Sequence, residues 1–315
     1  MAGGETLFVH FLGTAGALPT PNRNPSSVMI RRGSDILLFD CGEGTQQQMM
    51  RAKTGFTPIA IFISHWHADH YLGIFGLVET MSFNGRTDPL DIYGPRGVES
   101  IVSIIHTLTP KIPFEIRAFE VKDGSVIQYN GYSVSVFKTY HGIDSVGYIL
   151  EEESRPGRFN RDAAIALNIP PGPLFGKLQR GETIRIYQND NTEITVSPDQ
   201  VLGLPRPGRK VVYTGDTRPI LTNNERLYHA DLLIHEATFD EDEGIDRAKK
   251  VWHSTAFEAG MVANVVKPKI LALTHFSSRY TSTYGHIKSA RKSFNSGQII
   301  APTDLYVIGI PFTDE

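Results

Sequence analysis

The heptapeptide Ser64-His65-Trp66-His67-Ala68-Asp69-His70 constrains this chain more than any other stretch of it. Residues 59–64 (IAIFIS) run into it as a short, continuous apolar segment, which predicts a strand buried on both faces. After it, Leu72, Phe75, Val78 and Glu79 recur three or four apart and predict a helix over 71–83. The heptapeptide is therefore a loop at the carboxyl end of a buried strand, where open α/β sheets place their sites. Its three histidines and one aspartate cannot all face one core from a tight loop, and an unpaired buried imidazole or carboxylate is costly. A divalent ion such as zinc, held by nitrogen and oxygen at ~2.0–2.2 Å, satisfies all four.

The remaining pattern is that of an α/β protein. Strands are expected over 7–12, 28–31, 35–40, 90–93, 211–214, 232–236 and 270–274. Two more lie within 121–140, around the turn Asn130-Gly131, and helices are expected over 98–108 and 255–266. The second half echoes the first: the run ending Thr214-Gly215-Asp216 resembles the one ending Phe39-Asp40-Cys41-Gly42. Alternating strands and helices argue for layers, and two similar halves for a pseudo-two-fold sandwich.

The single cysteine, Cys41, excludes an internal disulfide and a cysteine-rich zinc cluster, so any metal falls to histidine and carboxylate. Three further donors each lie just past an expected strand: His141 after 134–140, Asp216 after 211–214 and His275 after 270–274. One sheet edge can gather all of them. His10, His106, His229, His235 and His286 lie away from this set and read as core or surface residues. The net charge of −3 announces no polyanionic partner, so RNA binding has to come from a local patch. Such a patch exists: 155–185 carries six basic against two acidic residues, with Pro156-Gly157 and the cluster Pro170-Pro171-Gly172-Pro173. Residues 151–186 are expected to form an insertion in an otherwise single domain spanning 1–315. The first residues lack a basic segment followed by a long apolar run, and no stretch approaches the ~20 apolar residues of a membrane helix. The expected setting is cytoplasmic, without a membrane partner.

His-x-His-x-Asp-His followed by a later His, an Asp and a final His resembles the metal signature of the metallo-β-lactamase superfamily. The resemblance implies its αβ/βα four-layer sandwich. It implies two zinc ions per subunit, one held by His65, His67 and His141, the other by Asp69, His70 and His275, with Asp216 bridging. Manganese is an alternative metal, since nitrogen and oxygen donors accept both. Over nearly the whole chain the closer resemblance is to the short-form RNase Z (tRNase Z) family. It rests on Phe11-Leu12-Gly13-Thr14, Leu38-Phe39-Asp40-Cys41-Gly42-Glu43-Gly44, Pro21-Asn22-Arg23-Asn24, His235-Glu236-Ala237-Thr238 and His253-Ser254-Thr255.

That family cuts precursor tRNA after the discriminator base as a homodimer, leaving a 3′-hydroxyl on the tRNA. The resemblance implies that His253, supported by Glu236, contacts phosphate and protonates the leaving oxygen. Asp69 is implied both as a ligand and as acceptor of the attacking water's proton. Arg23 and Asn24 stand at the family's substrate loop, although the lysine sometimes found before that pair is absent. Gly172, Pro173, Lys177 and Arg180 resemble the tip of its protruding, tRNA-gripping arm (the exosite). Ser277 and Arg279, just past His275, are within reach of phosphate. Two other readings are a hydrolase of small phosphodiesters, sulfates or thioesters on the same fold, and an RNA-binding protein with a degenerate site. A small substrate would not need the basic arm, and the complete donor set speaks against a degenerate site.

Overall fold

The computed structural model describes residues 6–187, 192–222, 224–240 and 244–312. Backbone contacts divide the chain into two units, one of Met1–Glu151 with Arg209–Pro311 and one of Glu152–Gly208 with Phe312–Glu315.

The first unit opens with β1 (Leu7–Gly13), β2 (Ala15–Gly16), β3 (Ser27–Arg32), β4 (Asp35–Phe39) and α1 (Thr45–Ala52). It continues through β5 (Ala60–Phe62), α2 (Ala68–Tyr71), α3 (Gly73–Phe83), β6 (Leu90–Gly94), α4 (Val98–Leu108) and β7 (Ile116–Glu120). Then come β8 (Val126–Tyr129), β9 (Tyr132–Lys138) and β10 (Val146–Glu152). The second unit follows with α5 (Arg161–Ala166), α6 (Pro173–Gln179), β11 (Ile184–Tyr187) and β12 (Glu193–Val196). The chain returns to the first unit with β13 (Lys210–Tyr213), β14 (Leu232–Glu236), α7 (Ile245–Val251), α8 (Ala256–Val266) and β15 (Ile270–Thr274). Last come β16 (Phe276–Ser277), α9 (Tyr284–Ser293), β17 (Gln298–Ile300) and β18 (Tyr306–Gly309).

Among the described residues, the first unit holds two seven-stranded sheets, ordered β18-β1-β3-β4-β5-β6-β7 and β17-β15-β14-β13-β10-β9-β8. Each has antiparallel strands on one side and a parallel run on the other, β4 to β7 and β13 to β17. Central strands are apolar on both faces, as buried parallel strands must be. In β4, Leu37 and Phe39 face a core shared with Tyr148, Val211 and Ile234 of the other sheet. Ile36 and Leu38 face a second core with Met49 of α1, Leu77 of α3 and Val102 of α4. The outer face of the second sheet packs Leu233 and Leu271 against Ala259 and Val262 of α8 and Ala290 of α9. Helices, sheet, sheet and helices make the expected four layers. Threonine and glutamate at the start of α8 close a reciprocal cap, with Thr255 Oγ1 accepting from Glu258 N and the Glu258 carboxylate accepting from Thr255 N.

Two differences from the sequence reading stand out. The helix expected over 71–83 breaks at Leu72 into α2 and α3, because Gly73 lies directly against the turn after β4. A Cβ there would come within 2.0 Å of Gly42 O. Strand β7 (IRAFE) went unassigned, since its half-exposed edge position leaves no clean alternation. The second unit has its own small core, Ala164, Ile169, Leu178, Ile184, Ile186, Val196 and Val201, closed by the β11–β12 hairpin. It runs on to Gly208, past the 151–186 marked out in the sequence. No helix among the described residues is long and apolar enough to cross a membrane.

Candidate metal centre

Every strand that enters the centre does so at its carboxyl end. Asp40 follows β4, the heptapeptide follows β5, His141 follows β9, Asp216 follows β13, Glu236 ends β14 and His275 follows β15. All seven donors expected from the sequence meet there, in two groups that share Asp216.

The first group joins His65, His67, His141 and Asp216. His67 Nδ1 lies 3.0 Å from His65 Nε2 and 3.1 Å from His141 Nε2, and Asp216 Oδ2 is 3.6 Å from His65 Nε2. The second group joins Asp69, His70 and His275. His70 Nε2 lies 3.4 Å from Asp69 Oδ2 and from His275 Nε2, and His275 Nε2 is 3.3 Å from Asp216 Oδ1. Donors arranged tetrahedrally around an ion at ~2.0–2.2 Å stand roughly 3.3–3.6 Å apart; the second group and the Asp216 contacts fall in that range, while the two contacts of His67 Nδ1 are shorter. Asp216 Oδ1 is buried and has no hydrogen-bond partner, which an ion would supply.

The far side of most of these imidazoles is anchored. His70 Nδ1 donates to Asp40 Oδ2 at 2.7 Å, and His141 Nδ1 donates to Trp252 O at 2.9 Å. His65 Nδ1 is 3.0 Å from Ser64 Oγ, and His275 Nδ1 is 2.8 Å from Thr238 Oγ1. Such partners fix the tautomer and leave the opposite nitrogen free for metal. Asp40 is fully buried in a left-handed turn (φ 57°). Its carboxylate also accepts from Ser64 N, Ser64 Oγ and Tyr213 OH, at 2.7, 2.8 and 2.6 Å.

Burial, reinforced by neighbouring imidazoles, lowers His65 well below the usual imidazole range and lowers His67, keeping both neutral. Burial opposes charge on His70 too, but Asp216, Asp40 and Asp69 outweigh it and raise its pKa. Burial alone would raise Asp69 and Asp216. The facing imidazoles instead hold both below the usual carboxylate range, chiefly His70 for Asp69 and His275 and His70 for Asp216.

Glu236 and His253 meet as expected, with His253 Nδ1 donating to Glu236 Oε1 at 2.9 Å. Burial disfavours the imidazolium, yet Glu236 and Asp216 push His253 up to about 9. Glu236 also accepts from Thr217 N at 2.9 Å and Thr238 Oγ1 at 2.6 Å, so no lone pair is wasted. Thr238 therefore connects Glu236 to His275.

Arg23 and Asn24 turn into the scaffold. The Arg23 guanidinium lies over the Phe276 ring, and its Nη1 donates to Thr14 Oγ1 and Pro302 O. Asn24 N donates to Asp304 Oδ2 at 2.7 Å. The loop they shape brings Ala17 N to within 2.8 Å of Asp69 Oδ2. Ser277 pairs with Gly16 beside the centre, and Arg279 is exposed. Gly172, Pro173, Lys177 and Arg180 belong to the second unit, where Pro173 starts α6 and Arg180 pairs with Glu182. The five histidines set aside in the sequence enter none of the donor groups. Asp40, Thr238 and Trp252 were missed as supports. For Asp40 the signal was present, an aspartate ending a buried strand just as Asp216 nearly does.

The chain is 49% identical to a ribonuclease Z of Methanosarcina acetivorans, over 98% of this chain and all of that protein. It is 43% identical to one of Myxococcus xanthus, over 98% and 99%. The human short-form tRNase Z structure superposes with a TM-score of 0.68 at 27% identity, over 96% of this chain and 99% of that one. The metallo-β-lactamase fold protein YhfI of Bacillus subtilis gives 0.67 at 19% identity, over 97% and 99%, a likeness of fold alone. The family model of the anti-Pycsar protein Apyc1 matches residues 7–155.

Proposed function

The chain belongs to the ribonuclease Z family, and from that premise we propose that it is a two-zinc enzyme that removes 3′ trailers from precursor tRNA. It cuts after the discriminator base, leaving a 3′-hydroxyl on the tRNA and a 5′-phosphate on the trailer. The observation that carries this reading is the pair of donor groups sharing Asp216, with the His253–Glu236 pair beside them.

His65, His67 and His141 would hold one ion and Asp69, His70 and His275 the other, with Asp216 placed between the two groups. Ions so held acidify water and neutralise charge that builds on phosphate oxygens, and manganese can stand in for zinc. The chain's own groups do the rest. As water's oxygen attacks phosphorus, the P–O3′ bond breaks and the leaving oxygen needs a proton. His253, tied through Nδ1 to Glu236, presents its other nitrogen for that transfer. Asp69 takes up a proton only against the pull of His70 and His275, so holding the ion is its first role and accepting water's proton its second. Asn24 and the loop that Arg23 braces, with Ser277 and Arg279, line the approach of the RNA backbone.

The second unit is the tRNA-binding arm. Gly172 and Pro173 start its tip helix, and Lys177 and Arg180 on it are exposed cations suited to phosphate contacts that read shape rather than sequence. The working form is a cytoplasmic homodimer.

The test is cleavage of an end-labelled precursor tRNA, with metal content measured on the same preparation. One cut at the 3′ end of the acceptor stem, lost with chelator and restored by zinc or manganese, is expected. Protein carrying about two ions per chain that leaves the RNA whole would move the assignment to a small-molecule hydrolase.

A further inference from the structure

Beside His141 lies a cavity of about 490 Å³ whose lining includes Arg96, Lys138, Tyr140, Ile143 and Trp252, with carboxylates at Glu120, Asp123 and Asp144. That volume falls in the range of small-ligand sites. Tyr140, Ile143 and Trp252 are exposed large hydrophobic side chains, and Trp252 is the most open of them at 50%. The side chains of Arg96 and Lys138 carry no ion pair among the described residues, and Lys138 Nζ stands 5.9 Å from the Tyr140 ring centre.

Trp252 is also an awkward residue for its place. It caps α7 in the left-handed region (φ 61°, ψ 37°), where a bulky side chain is strained and glycine is favoured. Its backbone oxygen anchors His141, a task any residue performs. The indole lies instead over the open side of Gly142, where a Cβ would sit 3.4 Å from Trp252 Cδ1. A strained aromatic that exposes half its surface beside a reactive centre calls for a ligand.

We propose that this cavity is a base-stacking subsite, in which Trp252 receives the discriminator base of the tRNA and Arg96 and Lys138 hold its flanking phosphate. The choice of nucleotide rests on the function proposed above. His253 protonates the leaving 3′-oxygen, which belongs to the discriminator ribose, and Trp252 is its immediate neighbour in the chain. A stacking platform accepts every base but holds purines more strongly, because their π-face is larger.

The experiment compares four precursor tRNAs differing only at the discriminator, cut by the wild type, Trp252→Ala and Trp252→Phe. The wild type should favour purines in kcat/KM by roughly threefold to tenfold, a fraction of the full stacking effect. Trp252→Ala should bring that ratio near one, and Trp252→Phe should retain most of it. Trp252→Gly relieves the backbone strain and keeps the carbonyl, so it separates loss of stacking from loss of fold. An unchanged ratio in Trp252→Ala, with the wild type cutting normally, overturns the subsite and leaves the nuclease reading intact. A second readout needs no cleavage. The chain has two tryptophans, so in a Trp66→Phe background fluorescence reports Trp252 alone. Quenching by adenosine monophosphate that ribose 5-phosphate does not match supports stacking; equal quenching by both refutes it.

Discussion

The two donor groups are built by different means. In the Asp69–His70–His275 group both histidines are buried and anchored by side chains, His70 by Asp40 and His275 by Thr238. In the other group His67 is exposed, and His141 is anchored by a backbone carbonyl at a strained position. A carboxylate raises the basicity of the imidazole it orients; a carbonyl mainly fixes its direction. The deep group should therefore keep an ion longer than the outer one.

Four changes probe that contrast. His70→Ala and His67→Ala should each lower kcat on the order of 10³-fold or more, the scale of removing a principal electrostatic stabiliser. Both should still bind precursor tRNA in a filter or anisotropy assay. A His67→Ala protein that cuts at the wild-type rate would remove the outer group from the reaction.

Glu236→Gln should cost roughly 10²-fold at neutral pH, within the range of general acid catalysis, and should reshape the pH profile. His253 donates only while protonated, so activity should fall as pH rises through its pKa of about 9. Without the carboxylate that raises this pKa, the falling limb should move to lower pH. A limb that stays in place would detach His253 from the proton transfer.

Asp40→Asn should weaken the deep ion by about 10–100-fold, read as loss of one metal of two on dialysis against a mild chelator. A deep ion that leaves before the outer one in the wild type would reverse the ranking of the two groups.

Replacing Lys177 and Arg180 with alanine touches neither group. Metal content should hold, KM for precursor tRNA should rise several-fold, and the salt slope should flatten by up to about two. Turnover of a small phosphodiester should not change.

The donors were legible in the sequence because each sits where a strand ends, a position that local pattern reveals. His65 to His70 declare themselves in one loop, and His141, Asp216 and His275 each follow an apolar run. The supports were not legible, because their meaning lies in distant partners. Asp40 matters through Ser64, His70 and Tyr213, the last 173 residues away. Trp252 matters through the direction of its carbonyl and the face of its ring, which spacing does not encode. The same holds for Arg23, which looks like a free cation in sequence and is braced against Thr14, Phe276 and Pro302 in space. The second unit showed its charge but not its extent, since residues 198–208 carry no net charge that marks them as part of it.

The division of ligands between the two halves has a consequence for how the protein comes into being. His70 and His275 face each other across 205 residues of chain. At roughly 5–20 residues per second, synthesis leaves on the order of 10–40 s between the two. Until Asp216 is made the nascent chain has neither group complete, and until His275 it still lacks the second. A protein that cuts RNA is thus assembled beside the ribosome's own RNA while still unarmed. It acquires its reactivity only when the last strands of the second sheet are laid down.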